Sequence, residues 1–254
     1  MPLKKETGIV LNMRTFSDVD ALITVLGKTQ PKAKYILKGI KKSKNRPIVA
    51  SEISTQIQLD FYSHEKDETR IVKEVSVVNR FEKIKSSFGG FVLLGYTSEL
   101  LDQLLPDGES HTAIYKLYLE FLNTIDENGY SPLIMPFFKI KLLAAVGLFS
   151  GEFRCIFCNM DVLEKKSAFI NSENWEVTCG DCQNIQKNTI NEIRLFNAIM
   201  KNRYLNLKNK SIPLPQIIEI DYLLNSYLKI YIGKPLKSAN ILYKSLKENY
   251  EFLY

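Results

Sequence analysis

Residues 32–38 read KAKYILK, and the spacing within this heptad decides how the first third of the chain is read. Ala33, Tyr35 and Leu37 alternate with Lys32, Lys34 and Lys38, leaving Ile36 as the one apolar side chain on the charged face. A period of two is the signature of a strand that buries one face. The exposed face of this strand is basic. Around it lie four more runs rich in Val, Ile, Thr and Tyr: GIVLNMR, ALITVLG, ISTQIQLDFY and IVKEVSVVN, parted by polar or Pro-containing breaks. Five short strands within residues 1–80 suit a small closed sheet, because an open sheet of that size leaves its edges unpaired. A five-stranded OB-fold barrel is the expectation, and an SH3-like barrel or small sandwich suits the same pattern.

After Phe81 the period changes. SSFGGFVLLGYTSELLDQLL, HTAIYKLYLEFLNTI and PLIMPFFKIKLLAAVGLF place apolar residues three and four apart, as do TINEIRLFNAIMKN, PQIIEIDYLLNSYLKIYI and KSANILYKSLKENY. The expected class is therefore α+β with two domains, a β domain over residues 1–80 and a helical domain over residues 81–254. At 254 residues, 45% hydrophobic and 24% charged, the chain can bury a sizeable core. The opening MPLKKETGIVLNMR lacks an apolar core followed by a cleavage site. Its longest apolar runs, such as FVLLGY and LLAAVGLF, are too short to span a bilayer. A cytoplasmic, nucleoid-associated protein with no membrane partner is expected.

Charge is unevenly placed. Residues 1–46 carry eleven Lys/Arg against Glu6, Asp18 and Asp20, and residues 98–153 carry eight acids against Lys116, Lys139 and Lys141. Residues 225–247 hold five lysines and no acid. The densest cationic stretch continues the opening heptad as YILKGIKKSKNR, with Lys38, Lys41, Lys42, Lys44 and Arg46. Such a stretch is either a solvated loop or a surface for a polyanion.

Cys155, Cys158, Cys179 and Cys182 form two C-x2-C pairs separated by twenty residues. Two residues between cysteines let both thiolates of one knuckle turn onto a single ion, and two knuckles complete a tetrahedral shell. The spacing is that of a zinc ribbon, and an iron–sulfur cluster is the other group that four thiolates suit. Buried free cysteines or a redox pair explain two knuckles less well. One structural Zn2+ per chain is expected, holding an excursion from the helical domain at about residues 150–185. A shell of four cysteines has no open position, so the ion is not catalytic.

No active site presents itself. His64 and His111 both lie in polar surroundings and read as surface histidines. LGKT at residues 26–29 lacks the first glycine of a phosphate-binding loop, since Leu22 stands there. Asp18 and Asp20 read as turn residues. Neither clustered carboxylates for magnesium nor a nucleophilic lysine motif is evident.

Taken together, GIVLNMR, LKGIKKSKNR, the helical remainder, the paired knuckles and the late IGKPLKSANIL resemble the bacterial recombination mediator family RecO over nearly the whole chain. The chain departs from the family in two places. Asn45 precedes Arg46 where the family has a serine, and Ala239 stands where an arginine often follows Ser238. The resemblance implies an OB-fold N-terminal domain that binds single- and double-stranded DNA, a helical C-terminal domain, and action without nucleotide hydrolysis. It implies annealing of complementary strands and, with the partner RecR, loading of RecA onto DNA coated by single-strand-binding protein. The acidic C-terminal tail of that protein ends in an aromatic residue, so its site must combine cations with an apolar pocket. Lys32, Lys34, Lys38, Lys41, Lys42, Lys44 and Arg46 are then the expected phosphate contacts. Tyr35 and Phe61 or Tyr62 are candidates for base stacking, with the strand core as their alternative use. An OB-plus-ribbon RNA-binding factor acting in translation or transcription is the alternative function.

Overall fold

The computed structural model describes residues 3–62, 69–149, 151–185 and 187–248. They form two compact units, one of residues 1–130 with 236–254, the other of residues 131–235.

In the first unit five strands close into a barrel: β1 (Leu3–Thr15), β2 (Ala21–Gly27), β3 (Ala33–Leu37), β4 (Gln56–Tyr62) and β5 (Thr69–Asn79), in the cyclic order β1-β2-β3-β5-β4. Closure depends on β1, which is long enough to serve two neighbours. Its first half pairs antiparallel with β4, from Leu3 opposite Tyr62 to Ile9 opposite Gln56. Its second half pairs antiparallel with β2, and the register slips between Val10 and Asn12, where the strand turns from one partner toward the other. Gly8 faces both Gly27 and Ile57 at this crossing. A Cβ there would stand 2.3 Å from Val25 Cγ1, so a side chain would prevent the strands from approaching. A parallel pairing of β3 with β5 seals the remaining gap.

The heptad behaves as its spacing predicts over β3, whose residues run buried, exposed, buried, half-buried, buried. Val10, Ile23, Val25, Tyr35, Leu37, Ile57, Leu59, Phe61 and Val72 fill the interior. Tyr35 and Phe61 meet edge to face at 5.1 Å, and the Arg70 guanidinium lies 5.2 Å from the Phe61 ring centre while donating to the Tyr35 hydroxyl at 2.7 Å. Burial pushes the Tyr35 phenol up, so it stays neutral. Both rings are core residues, and Tyr62 is half-buried.

Strands give way to helices at Asn79, as expected, with α1 (Glu82–Lys85), α2 (Phe88–Leu104) and α3 (Thr112–Asn128) following. The compact units divide elsewhere, because α2 and α3 pack on the barrel. Helix α2 buries Val92, Leu93, Leu94, Tyr96, Leu100, Leu101 and Leu104, an apolar surface too broad for a helix with one solvated face. Polar bonds fix the seam: the Ser54, Ser98 and Tyr118 hydroxyls lie within 2.9 Å of one another, Asn12 donates to Asp102 at 2.8 Å and Gln56 to Tyr115 at 2.8 Å. Helix α8 (Lys237–Glu248) belongs to the same unit. Its first turn is capped from α2, where the Glu99 carboxylate accepts the Lys237 and Ser238 amides at 2.9 and 2.8 Å. Burial pushes the Glu99 carboxyl up, but these bonds and the Ser238 hydroxyl outweigh it and hold it below its ordinary value.

The second unit contains α4 (Ile134–Ala145), α5 (Ile190–Lys201), α6 (Tyr204–Leu207) and α7 (Leu214–Ile232). Gly147 and Gly233 end α4 and α7 with φ of 75° and 74°, a left-handed cap that glycine adopts without strain. Between α4 and α5 stands the cysteine-bearing excursion, which contains a two-stranded sheet absent from the sequence reading, β6 (Ala168–Ile170) antiparallel to β7 (Val177–Cys179).

Candidate functional site

The basic stretch after β3 is a braced ledge. Gly39 turns the chain with φ of 68°, and its amide donates to the Asp20 carboxylate at 2.7 Å. That amide, ahead of smaller effects from Ser17, Lys38 and Lys41, holds the Asp20 carboxyl below its ordinary value. Asp20 is the turn residue that the sequence suggests, joining the β1–β2 turn to the ledge. Two further bonds repeat the link: the Lys41 amide donates to Val19 O at 3.1 Å, and its ammonium donates to Ser17 O at 3.0 Å and Thr15 Oγ1 at 3.3 Å. At the far end Ser43 Oγ accepts the Asn45 and Arg46 amides, while the Arg46 guanidinium donates to Lys38 O and Lys73 O at 2.6 and 2.5 Å.

The seven expected cations thus divide by role. Lys38, Lys42 and Lys44 are exposed, and no side-chain partner holds their ammonium groups among the described residues. Lys41 and Arg46 are half-buried braces bonded to neutral oxygens, so their charge still adds to the field at the ledge. Lys34 is half exposed and faces Asp107 at 3.3 Å. Lys32 departs from the expectation. Its side chain is 3% exposed and its ammonium bonds Asp102 O at 2.8 Å and Asp107 Oδ1 at 2.9 Å, which removes it from the surface. The excess of acid after residue 98 has the same explanation in part, since Glu99, Asp102 and Asp107 bond within this unit. No local signal reveals such pairings, because the partners lie about seventy residues apart in the chain.

Of the C-terminal lysines, Lys229 and Lys234 belong to the second unit, and Lys237 and Lys244 to the first, all four exposed. His111 stands at the start of α3 with its Nε2 3.2 Å from Pro106 O. His64 lies outside the described residues.

The four cysteine sulfurs lie within 4.8 Å of one another, with Cys155 and Cys179 buried and Cys158 and Cys182 exposed. Four sulfurs about one zinc at about 2.3 Å stand roughly 3.8 Å apart along the tetrahedral edges. Cys158 and Cys179 are 3.8 Å apart, which fits that edge. Burial pushes the Cys155 thiol up, but amides of Cys158, Cys179 and Phe157 outweigh it and hold it below its ordinary value, while hydrogen bonding with Cys158 and Cys179 pushes the Cys182 thiol up. Around the knuckles Val162, Ala168, Ile170 and Val177 are buried. The sole tryptophan, Trp175, packs against Phe149, Phe196 of α5 and Tyr227 of α7 at 5.8, 5.2 and 5.0 Å. The excursion therefore has an apolar anchor of its own, more than its polar sequence suggests.

Among the described residues no helix is long and apolar enough to cross a membrane. Two family models match the chain, Recombination protein O N terminal over residues 1–81 and Recombination protein O C terminal over residues 89–240. The chain is 32% identical over 246 residues to the DNA repair protein RecO of Leptospira biflexa serovar Patoc, covering 97% of this chain and 99% of that protein. It is 25% identical over 253 residues to the DNA repair protein RecO of Desulforamulus reducens, covering 98% and 97% respectively. With both halves matched and the relatives spanned nearly end to end, the chain belongs to the RecO family.

Proposed function

We propose that this chain acts in DNA repair and recombination as a mediator without catalytic chemistry. It binds single- and double-stranded DNA, anneals complementary strands and, with RecR, helps load RecA onto DNA coated by single-strand-binding protein. The observation that carries the reading is the braced ledge of Lys38, Lys42 and Lys44 on a closed five-stranded barrel, an architecture that supports the OB-fold reading. Exposed ammonium groups held on a rigid loop neutralise phosphates without reading bases. Annealing requires two strands to approach with their charge reduced, and such a surface achieves this without forming a covalent bond. The relatives' names, DNA repair protein, support the process.

Changing Lys38, Lys42 and Lys44 together to alanine should weaken binding to all sequences alike. The log–log salt slope for single strands should flatten by roughly 2, at about 0.7 per phosphate. Thermal melting should stay within that of the parent, because surface substitutions shift stability by about 0.5 kcal/mol. Salt titrations of a fluorescent oligonucleotide measure both proteins, and annealing in the absence of ATP and magnesium should fall in parallel. An unchanged slope would return the ledge to the status of a solvated loop. A preference for structured RNA over single-stranded DNA would favour the translation or transcription factor instead.

The four thiolates suit one structural Zn2+ per chain, held by Cys155, Cys158, Cys179 and Cys182. When bound, the ion supplies a cross-link between the knuckles. As for partners, deleting the acidic C-terminal tail of single-strand-binding protein should abolish its association with this chain while leaving the annealing of naked strands intact. A pull-down with RecR and with full-length and tailless single-strand-binding protein tests both contacts, and undiminished capture of the tailless form would move that contact elsewhere.

A further inference from the structure

We propose that Phe16, at the tip of the β1–β2 turn, is a base-stacking platform that makes the ledge selective for single strands. Among the described residues of the barrel the exposed large apolar side chains are Leu3, Met13, Phe16, Ile48, Ile71 and Val78, and Phe16 is the one aromatic ring, at 57% exposure. Isolated exposed apolar residues are ordinary, and what distinguishes Phe16 is how its backbone is held. Its amide donates to Asp20 O at 3.2 Å. The Lys41 ammonium bonds the residue on either side of it, Thr15 Oγ1 at 3.3 Å and Ser17 O at 3.0 Å. Asp20 ties the other arm of the turn to Gly39, beside Lys38.

The turn and the ledge are therefore joined, with Phe16 between the two residues that the Lys41 ammonium bonds. An ammonium has three donors, and Lys41 has two neutral partners here, so one donor remains for a phosphate, with the nearby Asp20 carboxylate offsetting part of the charge. A phosphate on the Lys41 side and an unstacked base on Phe16 match the alternation of charge and aromatic ring found in a single strand. A duplex keeps its bases stacked and offers only the phosphates. Of the rings that the sequence offers for this role, Tyr35 and Phe61 are buried and Tyr62 is half-buried, whereas Phe16 is exposed.

The inference rests on the ledge being a DNA surface, and the test separates the two. Binding of a fluorescent oligo-dT and of a duplex of equal length is measured by anisotropy for the parent and for F16A, F16L, F16Y and K38A/K42A/K44A. F16A should bind the single strand roughly tenfold more weakly, with an unchanged salt slope and unchanged affinity for the duplex. F16Y should restore binding and F16L should not. An F16A affinity within twofold of the parent, an equal loss on both substrates, or rescue by leucine as full as by tyrosine overturns the platform. In each of those cases a flattened slope for the triple-lysine variant leaves the ledge reading standing. A parent without salt-dependent single-strand binding overturns both.

Discussion

If the four cysteines hold the proposed zinc, changing Cys179 to serine should abolish metal binding and loosen the unit of residues 131–235. Cys179 is fully buried, ends β7 and donates its amide to Cys155 Sγ at 3.3 Å, so its sulfur sits where the two knuckles meet. A hydroxyl binds zinc far less well than a thiolate, and metal content should fall from one ion per chain to near zero. Because ligand binding and local folding are linked, the lost binding energy is lost folding energy. Loss of a structural metal belongs with the severe substitutions, above about 4 kcal/mol. For a chain of this size that lowers the melting temperature by roughly 10 °C. Changing the exposed Cys158 should release the metal equally but cost less packing.

Trp175 reports the event directly, as the chain has one tryptophan and it packs between Phe149, Phe196 and Tyr227. Its emission should move to longer wavelength in C179S or on chelation, to the extent that the aromatic anchor fails with the knuckles. Binding of single-stranded DNA should survive, since the ledge and every brace on it come from residues 15–73. Metal analysis finding no ion in the parent, or a C179S protein with parental melting and emission, would sink the metal centre as a structural element.

Much of this architecture follows from local spacing, and the departures share one cause. The alternation in KAKYILK predicts which side chains of β3 face inward, because a strand's period of two is intrinsic to its backbone. The C-x2-C pairs predict the sulfur cluster for a comparable reason, since each knuckle is a local turn. Lys32 obeys the same alternation with respect to the barrel, yet Asp102 and Asp107 arrive from α2 and the turn after it to cover the charge. The boundary at residue 80 is likewise a true change of period but not of packing, because nothing in α2 states which surface its second apolar face will meet. The late motif IGKPLKSANIL carries the resemblance, and much of it is architectural: Gly233 ends α7, and Ser238 with Lys237 takes its cap from Glu99. No local pattern marks Phe16, because a single aromatic in TFSDVD has no period, and the cation that bonds the residues on either side of it comes from a loop more than twenty residues on.

The second large effect is expected at Lys139. In sequence it is one of three cations within an acidic stretch, with nothing to separate it from Lys116 or Lys141. In the structure its side chain is fully buried on α4, and its ammonium donates to Asp221 Oδ1 and Asn225 Oδ1 of α7, both at 2.7 Å. Asp221 and Asn225 stand one turn apart, and Asn225 Nδ2 returns a bond to Asp221 Oδ2 at 3.1 Å, so the acceptors are themselves held in place. The ammonium thereby fastens α4 to α7. Changing Lys139 to methionine keeps most of the side-chain volume but takes the counter-charge away from the Asp221 carboxylate, whose side chain is 16% exposed. Breaking one member of such a pair costs about 3–5 kcal/mol. Pairing K139M with D221L removes both charges and should recover more than half of that loss, because an apolar pair of similar volume avoids the desolvation that the ions suffer. The reverse single change, D221L, should cost as much as K139M, since it takes the carboxylate away from a buried ammonium. Urea unfolding followed by Trp175 emission measures all three variants against the parent. A K139M protein within about 1 kcal/mol of the parent, or a double variant no better than either single one, would mean that the pair is solvated and α4 is held to α7 by its apolar contacts.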